Sequence, residues 1–473
     1  MKYKALAGTI FISFSFLLTA EPSLSGYMKN DLELQKLALE VKKAALKDKK
    51  TEIENGLDLS LSTGTATFRF SGDDSEVSFK PSAEISIPQL SNINLSASSN
   101  ISIENGSNKS SDINLSLGID LVSGAALTRK INLLKSDRAL LEAKRNLQEK
   151  ALEVEKEYYT ELKALFSKAS EVSSLKKDLY EDTISFDEIK AKGYTKTSAK
   201  YRQAEMKVLA DQHEVETTRH ELEHNCAVFA SKCGTSYESG TDVAEFLPET
   251  IPEVPEVNIL DFDKKDYKKI EQAEYDHQLA ELERKADKDF SLKANAGYTF
   301  RNSNTSFSST GTKSDTIDTG LTATYQGLSL GAGVYIPTDG TKPVYSASAG
   351  IKPNTFRTAQ IKRKTNECNE EEELIAIKSA EDSYETDVVD KQSELNDIKW
   401  SKETYGKTFE MYQTLEKDMK ALYSQGLIKE TEYLDAFANR ELYQYKITMN
   451  KIDFIIYNNS TKLLFCQDSE LKD

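Results

Sequence analysis

Four cysteines, Cys226, Cys233, Cys368 and Cys466, and four histidines are the residues of this 473-residue sequence whose chemistry is most readily recognised from type and spacing. In an oxidising compartment four thiols permit two disulfides, in any of three pairings, and the spacing does not choose among them. Cys226 and Cys233 stand seven residues apart. On an unbroken helix that is roughly 10 Å, so a bond between them requires the helix end to unwind. The cysteine spacing is no zinc pattern, no histidine stands at metal-site spacing from a cysteine, and no histidine cluster is read; neither a metal nor another cofactor is expected. The sequence has no Gly-rich phosphate loop and no GxSxG. Asp/Glu pairs in a chain with 77 acidic residues carry no catalytic argument, so an enzyme is not expected.

The elements around these residues follow from composition and period. Lys2 and Lys4 precede an apolar run from Ala5 to Leu18, and Thr19-Ala20 offers a small-residue cleavage site. Residues 1–20 therefore read as a secretory signal peptide, with no cysteine near the cleavage point to accept a lipid. Lys and Arg number 61 against those 77 acidic residues, and the net charge of −16 repels polyphosphates, which sets nucleic acid aside as a partner. Charged residues make up 29% and hydrophobic ones 38%, and no later stretch approaches the ~20 apolar residues of a helical span. Pro is absent between Pro88 and Pro248 and again after Pro353, which favours very long helices.

The pattern is written twice. Residues 29–54 are helical in spacing, with Leu34, Leu37, Val41 and Ala45 on one face. The period then becomes two, in Leu57-Leu59-Leu61, Ile85-Ile87, Ile93-Leu95, Ile101-Ile103 and most plainly Ile113, Leu115, Leu117, Ile119 and Leu121. From about Ser123 to Lys192 the spacing is helical again, with Leu133, Leu140, Leu147 and Val154 at coiled-coil intervals, over roughly 100 Å at 1.5 Å per residue. A break at Gly193 and a return helix from Ser198 to Cys233 lead to a connector, 248–262, around Pro248, Pro252 and Pro255. The order then returns: a helix over 263–288, alternating strands within 290–352, and a second long helix after Pro353. Its seam runs through Ile377, Tyr384, Ile398, Tyr405, Tyr412 and Met419, interrupted by Lys391, and it breaks at Gly426 before a last helix from about Glu430 to Cys466. Cys233 follows Gly193 by forty residues and Cys466 follows Gly426 by forty. The expected organisation is two repeats, 21–247 and 263–473, in an α+β fold.

Two architectures compete. A solvated antiparallel coiled coil with small β caps accounts for the charged helices but leaves the strands unexplained. Strands with Leu, Ile, Phe and Tyr on one face and Ser, Thr and Asn on the other match the wall of an outer-membrane barrel, with Phe68, Phe70, Tyr298, Phe300, Tyr335 and Tyr345 at its interfaces. Helix, strands, very long helix, Gly turn and helix, read twice in an exported chain, resemble the TolC-type outer-membrane efflux protein family. The local match is Tyr423-Ser424-Gln425-Gly426 followed by Thr431-Glu432-Tyr433-Leu434-Asp435-Ala436, and the resemblance covers nearly the whole mature chain.

The resemblance implies a homotrimer in which three protomers share one transmembrane β-barrel and one periplasmic α-barrel of antiparallel coiled-coil helices. It implies an outer-membrane export duct of a tripartite efflux or type I secretion system, with a periplasmic adaptor and an inner-membrane pump as partners and lipid around the barrel. A coiled-coil adaptor or a structural or adhesion protein is the alternative. Glu432 and Asp435 fall where the family has two acidic rings at the periplasmic entrance, and three carboxylates around a narrow pore favour cations. Tyr423 falls where the family has a Tyr of its closing network. The Arg that follows in the family is Ile428 here, and the acidic partner position is Ala199, so closure is expected to rest on packing of Tyr194, Leu427 and Ile428. The tips at Gly193 and Gly426 are the expected adaptor contacts. The family uses two strands per half, whereas four alternating runs are counted in each half here; the inner runs form either an extracellular hairpin or part of a wider barrel.

Overall fold

A computed structural model describes residues 23–72, 74–87, 92–105, 107–238, 240, 243–287, 290–303 and 312–466. Residues 1–20, read from the sequence as a signal peptide, lie outside them. The chain divides into a helical unit, Met1–Leu39, Lys144–Lys268 and Ser383–Asp473, and a sheet unit, Glu40–Ala143 and Lys269–Asp382.

Among the described residues the sheet unit holds ten antiparallel strands: β1 Asp58–Ser62, β2 Thr67–Ser71, β3 Asp74–Phe79, β4 Ser82–Ile87, β5 Ile93–Glu104, β6 Ser107–Val122, β7 Phe290–Ser303, β8 Thr312–Tyr325, β9 Leu328–Pro337 and β10 Val344–Ile351. β5 pairs β4 from Ile93 to Ser98 and β3 from Ile101 to Glu104, so β3 and β4 are two lengths of one line broken at Lys80-Pro81. Pro81 has no N–H to give a ladder, but its carbonyl still accepts from the Ser99 N–H at 2.9 Å. β1 pairs β4 and β2 pairs β3 in the same way. The ten strands therefore lie in eight lines, and the alternating runs of both halves join one sheet. The sequence pattern signals β2 only through Phe68 and Phe70.

Register decides what each face is made of, because a slip of one residue would exchange the faces. One row crosses the sheet as Leu59, Ile85, Leu95, Leu117, Ala296, Thr319, Val334 and Tyr345. The next crosses as Asp58, Ser86, Asn94, Gly118, Asn295, Gly320, Gly333 and Ser346. One face is mainly apolar, broken on β8 by Asp315 and Thr319, and the other is mainly Ser, Asn, Asp and Gly, with Tyr335 and Val344 as its apolar exceptions. Leu59, Leu95, Leu117, Leu321 and Leu330 are exposed in the single chain.

Four helices frame the sheet. α2 (Leu32–Glu54) leads into β1, α3 (Ala125–Ala191) leaves β6, α6 (Lys268–Ala286) leads into β7, and α7 (Pro353–Ser424) leaves β10. Their bonds give the neighbour order α2, α3, α6, α7. The Arg129 Nε donates to the Asn55 carbonyl, Lys135 pairs with Glu283 at 2.6 Å, and Arg284 and His277 both hold Glu373.

The helical unit adds α1 (Leu24–Asn30), α4 (Ala199–Lys232), α5 (Val243–Phe246) and α8 (Glu430–Lys462). Its core lies between α3, α4 and α8. Tyr158, Leu162, Leu165, Ala169 and Val172 of α3 recur at three- and four-residue steps and bury against Leu222, Cys226 and Phe229 of α4 and Ile452 and Ile455 of α8. The Tyr158 and Phe229 ring centroids lie 5.2 Å apart. Across α7 and α8 the seam is a tyrosine ladder, with Tyr443 stacked on Tyr412 at 5.5 Å. Lys391 fits into that seam because its ammonium donates to Glu394 and to Ser460 Oγ, each at 2.7 Å, and lies over the Tyr457 ring. The connector is pinned rather than loose: the Asn458 side chain donates to the Pro255 carbonyl and accepts from the Val257 N–H.

Cys226, Cys233, Cys368 and Cys466, the candidates for disulfides, form none in the single chain. Cys226 and Cys233 stay two turns apart because α4 does not unwind: Cys233 caps it in αR conformation and both thiols are buried in the core. Burial and the neighbouring carboxylates Glu223 and Glu161 push each thiol up to about 12. Cys466 lies beyond the end of α8, where its N–H donates to the Asp266 carbonyl.

Candidate functional site at the helix-hairpin tips

The α3–α4 and α7–α8 hairpins turn in the same way. The Gly193 N–H bonds the Lys190 carbonyl at 2.9 Å and the Tyr194 N–H bonds that of Ile189; the Gly426 N–H bonds the Tyr423 carbonyl at 2.9 Å and the Leu427 N–H bonds that of Leu422. Each is a Schellman cap, which needs a left-handed residue just past the helix. Gly193 has φ +82° and Gly426 φ +69°, while a Cβ at either would meet nothing within 4 Å. Conformation, not space, requires glycine at both tips.

Beside the first turn, Phe186 and Tyr201 pack edge to face at 5.0 Å with Val208, and Ser198 caps α4 by accepting from the Tyr201 N–H. Tyr194 is exposed beneath the Lys200 ammonium, Leu427 is exposed, and Ile428 is half-buried. Tyr423 stacks on Tyr433 of its own hairpin, ring planes 4° apart.

The two hairpins are joined along α3 and α8 by polar contacts that step toward the tips: Ser173 to Glu441 at 2.5 Å, Lys177 to Asp435, Tyr180 to Glu430, and Glu188 to Lys429 at 3.5 Å. The hydrogen bond to Glu430 is the main reason the Tyr180 hydroxyl is held above its ordinary range. Glu432 and Asp435 are both exposed, and Asp435 is tied to a lysine of its own chain. Lys177 and Tyr180 carry no sequence motif; only antiparallel packing of α3 on α8 brings them to the acidic residues.

Within the first hairpin, Asp182 of α3 and Asp211 of α4 share a hydrogen bond beside Lys207, whose ammonium lies 2.7 Å from Asp182. The bond to Asp182, burial and the Asp182 charge together raise the Asp211 carboxyl. Burial opposes ionisation of Asp182, but Lys207 and the Asp211 proton hold its carboxyl low. The stability due to Asp211 is therefore full below its unfolded value and is lost as pH rises through the raised folded one; that due to Asp182 is lost only as pH falls through its lowered value. Asp211→Asn, which can still donate to Asp182, is expected to slow amide hydrogen exchange in α4 at neutral pH and to flatten its pH dependence above pH 4. Unchanged exchange would mean that the pair shares no proton.

No described helix is long and apolar enough to cross a membrane. Residues 24–251 match the TP096X N-terminal domain and residues 252–468 the TP096X C-terminal domain. No protein of curated function matches the sequence. Among solved structures, the open state of the Neisseria gonorrhoeae MtrE outer membrane channel is 12% identical, with 94% of this chain and 90% of that chain covered and a TM-score of 0.51. A membrane protein from Pseudomonas aeruginosa is 13% identical over 93% and 89% of the two chains, TM-score 0.47. The Campylobacter jejuni CmeC outer membrane channel is 13% identical over 95% and 87%, TM-score 0.45. The fold is that of the TolC-type outer-membrane channels. With its two matched domains running from residue 24 to residue 468, the chain belongs to the TP096X family.

Proposed function

We propose that this protein is the outer-membrane duct of a tripartite efflux or type I secretion system, working as a homotrimer whose two repeats per protomer give a pseudo-sixfold body. The observation that carries the reading is that each unit ends in unpartnered edges. In the sheet unit, β1 and β10 each have one paired side only among the described residues. β1 leads out of α2 and β10 runs into α7, so the two edges have opposite directions, as an antiparallel junction between copies requires. In the helical unit the neighbour order is α4, α3, α8, α7, and the outer helices leave Met206 and Leu209 on α4 and Trp400 and Met411 on α7 exposed. Two different edges that meet between copies make a heterologous interface, and a rotation of one third of a turn between copies closes it into a three-membered ring.

Eight strand lines per copy make a barrel of about two dozen strands, within the range known for outer-membrane barrels. The apolar row then faces lipid and the Ser, Asn and Gly row faces the lumen. At the periplasmic entrance Glu432 supplies the acidic ring; Asp435 contributes less, because Lys177 offsets its charge. The tips at Gly193 and Gly426 dock the adaptor, and the pump supplies the energy.

Single cysteines at Ser60 on β1 and Ser348 on β10, in one chain from which Cys368 and Cys466 have been removed, test the assembly. Oxidation is expected to give covalent dimers and trimers, and the purified trimer to conduct in planar bilayers. A chain that stays monomeric under oxidation and forms no pores overturns the reading.

A further inference from the structure

Three of the four histidines, His213, His220 and His224, lie on the exposed face of α4, opposite the buried Thr218, Leu222, Cys226 and Phe229. The histidines are thus clustered after all, in a way that spacing from the cysteines does not reveal. His220 and His224 are one turn apart, and side chains at that spacing have Cβ atoms about 5–6 Å apart on one helix face. Their rings are open to solvent, the His220 side chain being 80% exposed. Glu223 stands beside them, with a carboxylate oxygen 3.9 Å from His220 Nδ1. Its other oxygen accepts from Arg219 Nε at 2.9 Å, which fixes the carboxylate in place. At 3.9 Å the carboxylate is beyond hydrogen-bond reach and acts through its charge, which favours the ring with Nδ1 turned toward it and Nε2 presented outward.

We propose that α4 carries a surface site for a divalent transition-metal ion of the Zn2+ or Cu2+ kind, with His220 and His224 as its two protein ligands and Glu223 as the group that orients His220. Imidazole nitrogen suits these borderline ions, whereas Mg2+ and Ca2+ take oxygen ligands, so the site discriminates between the two classes. Waters complete the coordination. His220-Glu221-Leu222-Glu223-His224 has the His-Glu-x-x-His spacing of zinc peptidases. Hydrolysis at such a motif needs a third protein ligand, and among the described residues no group of three His, Cys, Asp or Glu side chains could hold a metal ion. The geometry therefore supports binding and not peptide hydrolysis. The site stands on α4 alone and is independent of the duct reading.

The test titrates the full mature chain in detergent with Cu2+, read by electron paramagnetic resonance, and with Zn2+, read by competition against a chromogenic chelator. Cys368→Ser is the background, because that exposed thiol is the competing soft ligand. One tight equivalent with two nitrogen ligands is expected. His220→Asn and His224→Asn should each weaken it by tenfold or more, while His213→Asn, on the same face but two turns from His220, should leave it unchanged. Mg2+ should not compete. A tight equivalent that survives the His220→Asn/His224→Asn double variant, or a wild-type chain that binds no more tightly than that variant, overturns the proposal.

Discussion

Replacing Arg138 by Met is expected to be among the most damaging single changes to the sheet unit. Its guanidinium forms a two-pronged bond with Glu271, donates to Gln272 and Glu142 at 2.7 Å each, and lies 4.4 Å from the Tyr275 ring centre. The Arg138 side chain is 9% exposed and that of Glu271 24%. Removing one partner of such a pair costs about 3–5 kcal/mol, because the other charge is left desolvated and unpaired; partial exposure of Glu271 points to the lower end. The position magnifies the effect. α3 follows β6 and α6 precedes β7, and β6 and β7 pair with each other, so the Arg138 cluster joins the two helices that frame the junction between the halves of the sheet. Hydrogen exchange is expected to rise in α6 and the β6–β7 pair, and Glu271→Gln added to Arg138→Met should recover part of the loss. A destabilisation below about 1 kcal/mol would show that solvent compensates the pair.

Leu162→Ala should cost about 2–5 kcal/mol in the helical unit. Leu162 is 1% exposed and sits in the core where α3 packs against α4 and α8. A cavity there cannot collapse easily, since Tyr158 and Phe166 on the same helix are fixed by rings of other elements, Phe229 and Tyr445. Denaturant unfolding monitored by helix signal reads the loss. Leu260→Ala, at a site 57% exposed in the connector, is the control and should change stability by no more than about 0.5 kcal/mol. Equal effects at the two positions would mean that the α3 core is not what holds this unit together.

Much of the architecture is legible from local pattern. The two-residue alternation of Ile113 to Leu121 is β6, the Pro-free runs are α3 and α7, and Gly193 and Gly426 end them. These features survive in one dimension because helix and strand periods are properties of the backbone, and left-handed caps are properties of glycine. Even Lys391, which breaks the apolar seam on paper, lies on the α7 face that meets α8.

What the sequence by itself determined, then, is which segments are helix or strand and which strand face is apolar. Only the tertiary structure decided how many lines the sheet has, because Ile93-Leu95 and Ile101-Ile103 read as separate short runs but both belong to β5, which pairs β4 and also β3, a strand that no sequence run signals. It alone tied Asp435 to Lys177 and Glu430 to Tyr180, residues some 250 positions apart, and it alone holds Cys226 and Cys233 apart along one unbroken helix. The difference is physical. Periodicity depends on neighbours within a turn or two of chain, whereas an ion pair, a register and a disulfide depend on which distant surfaces meet.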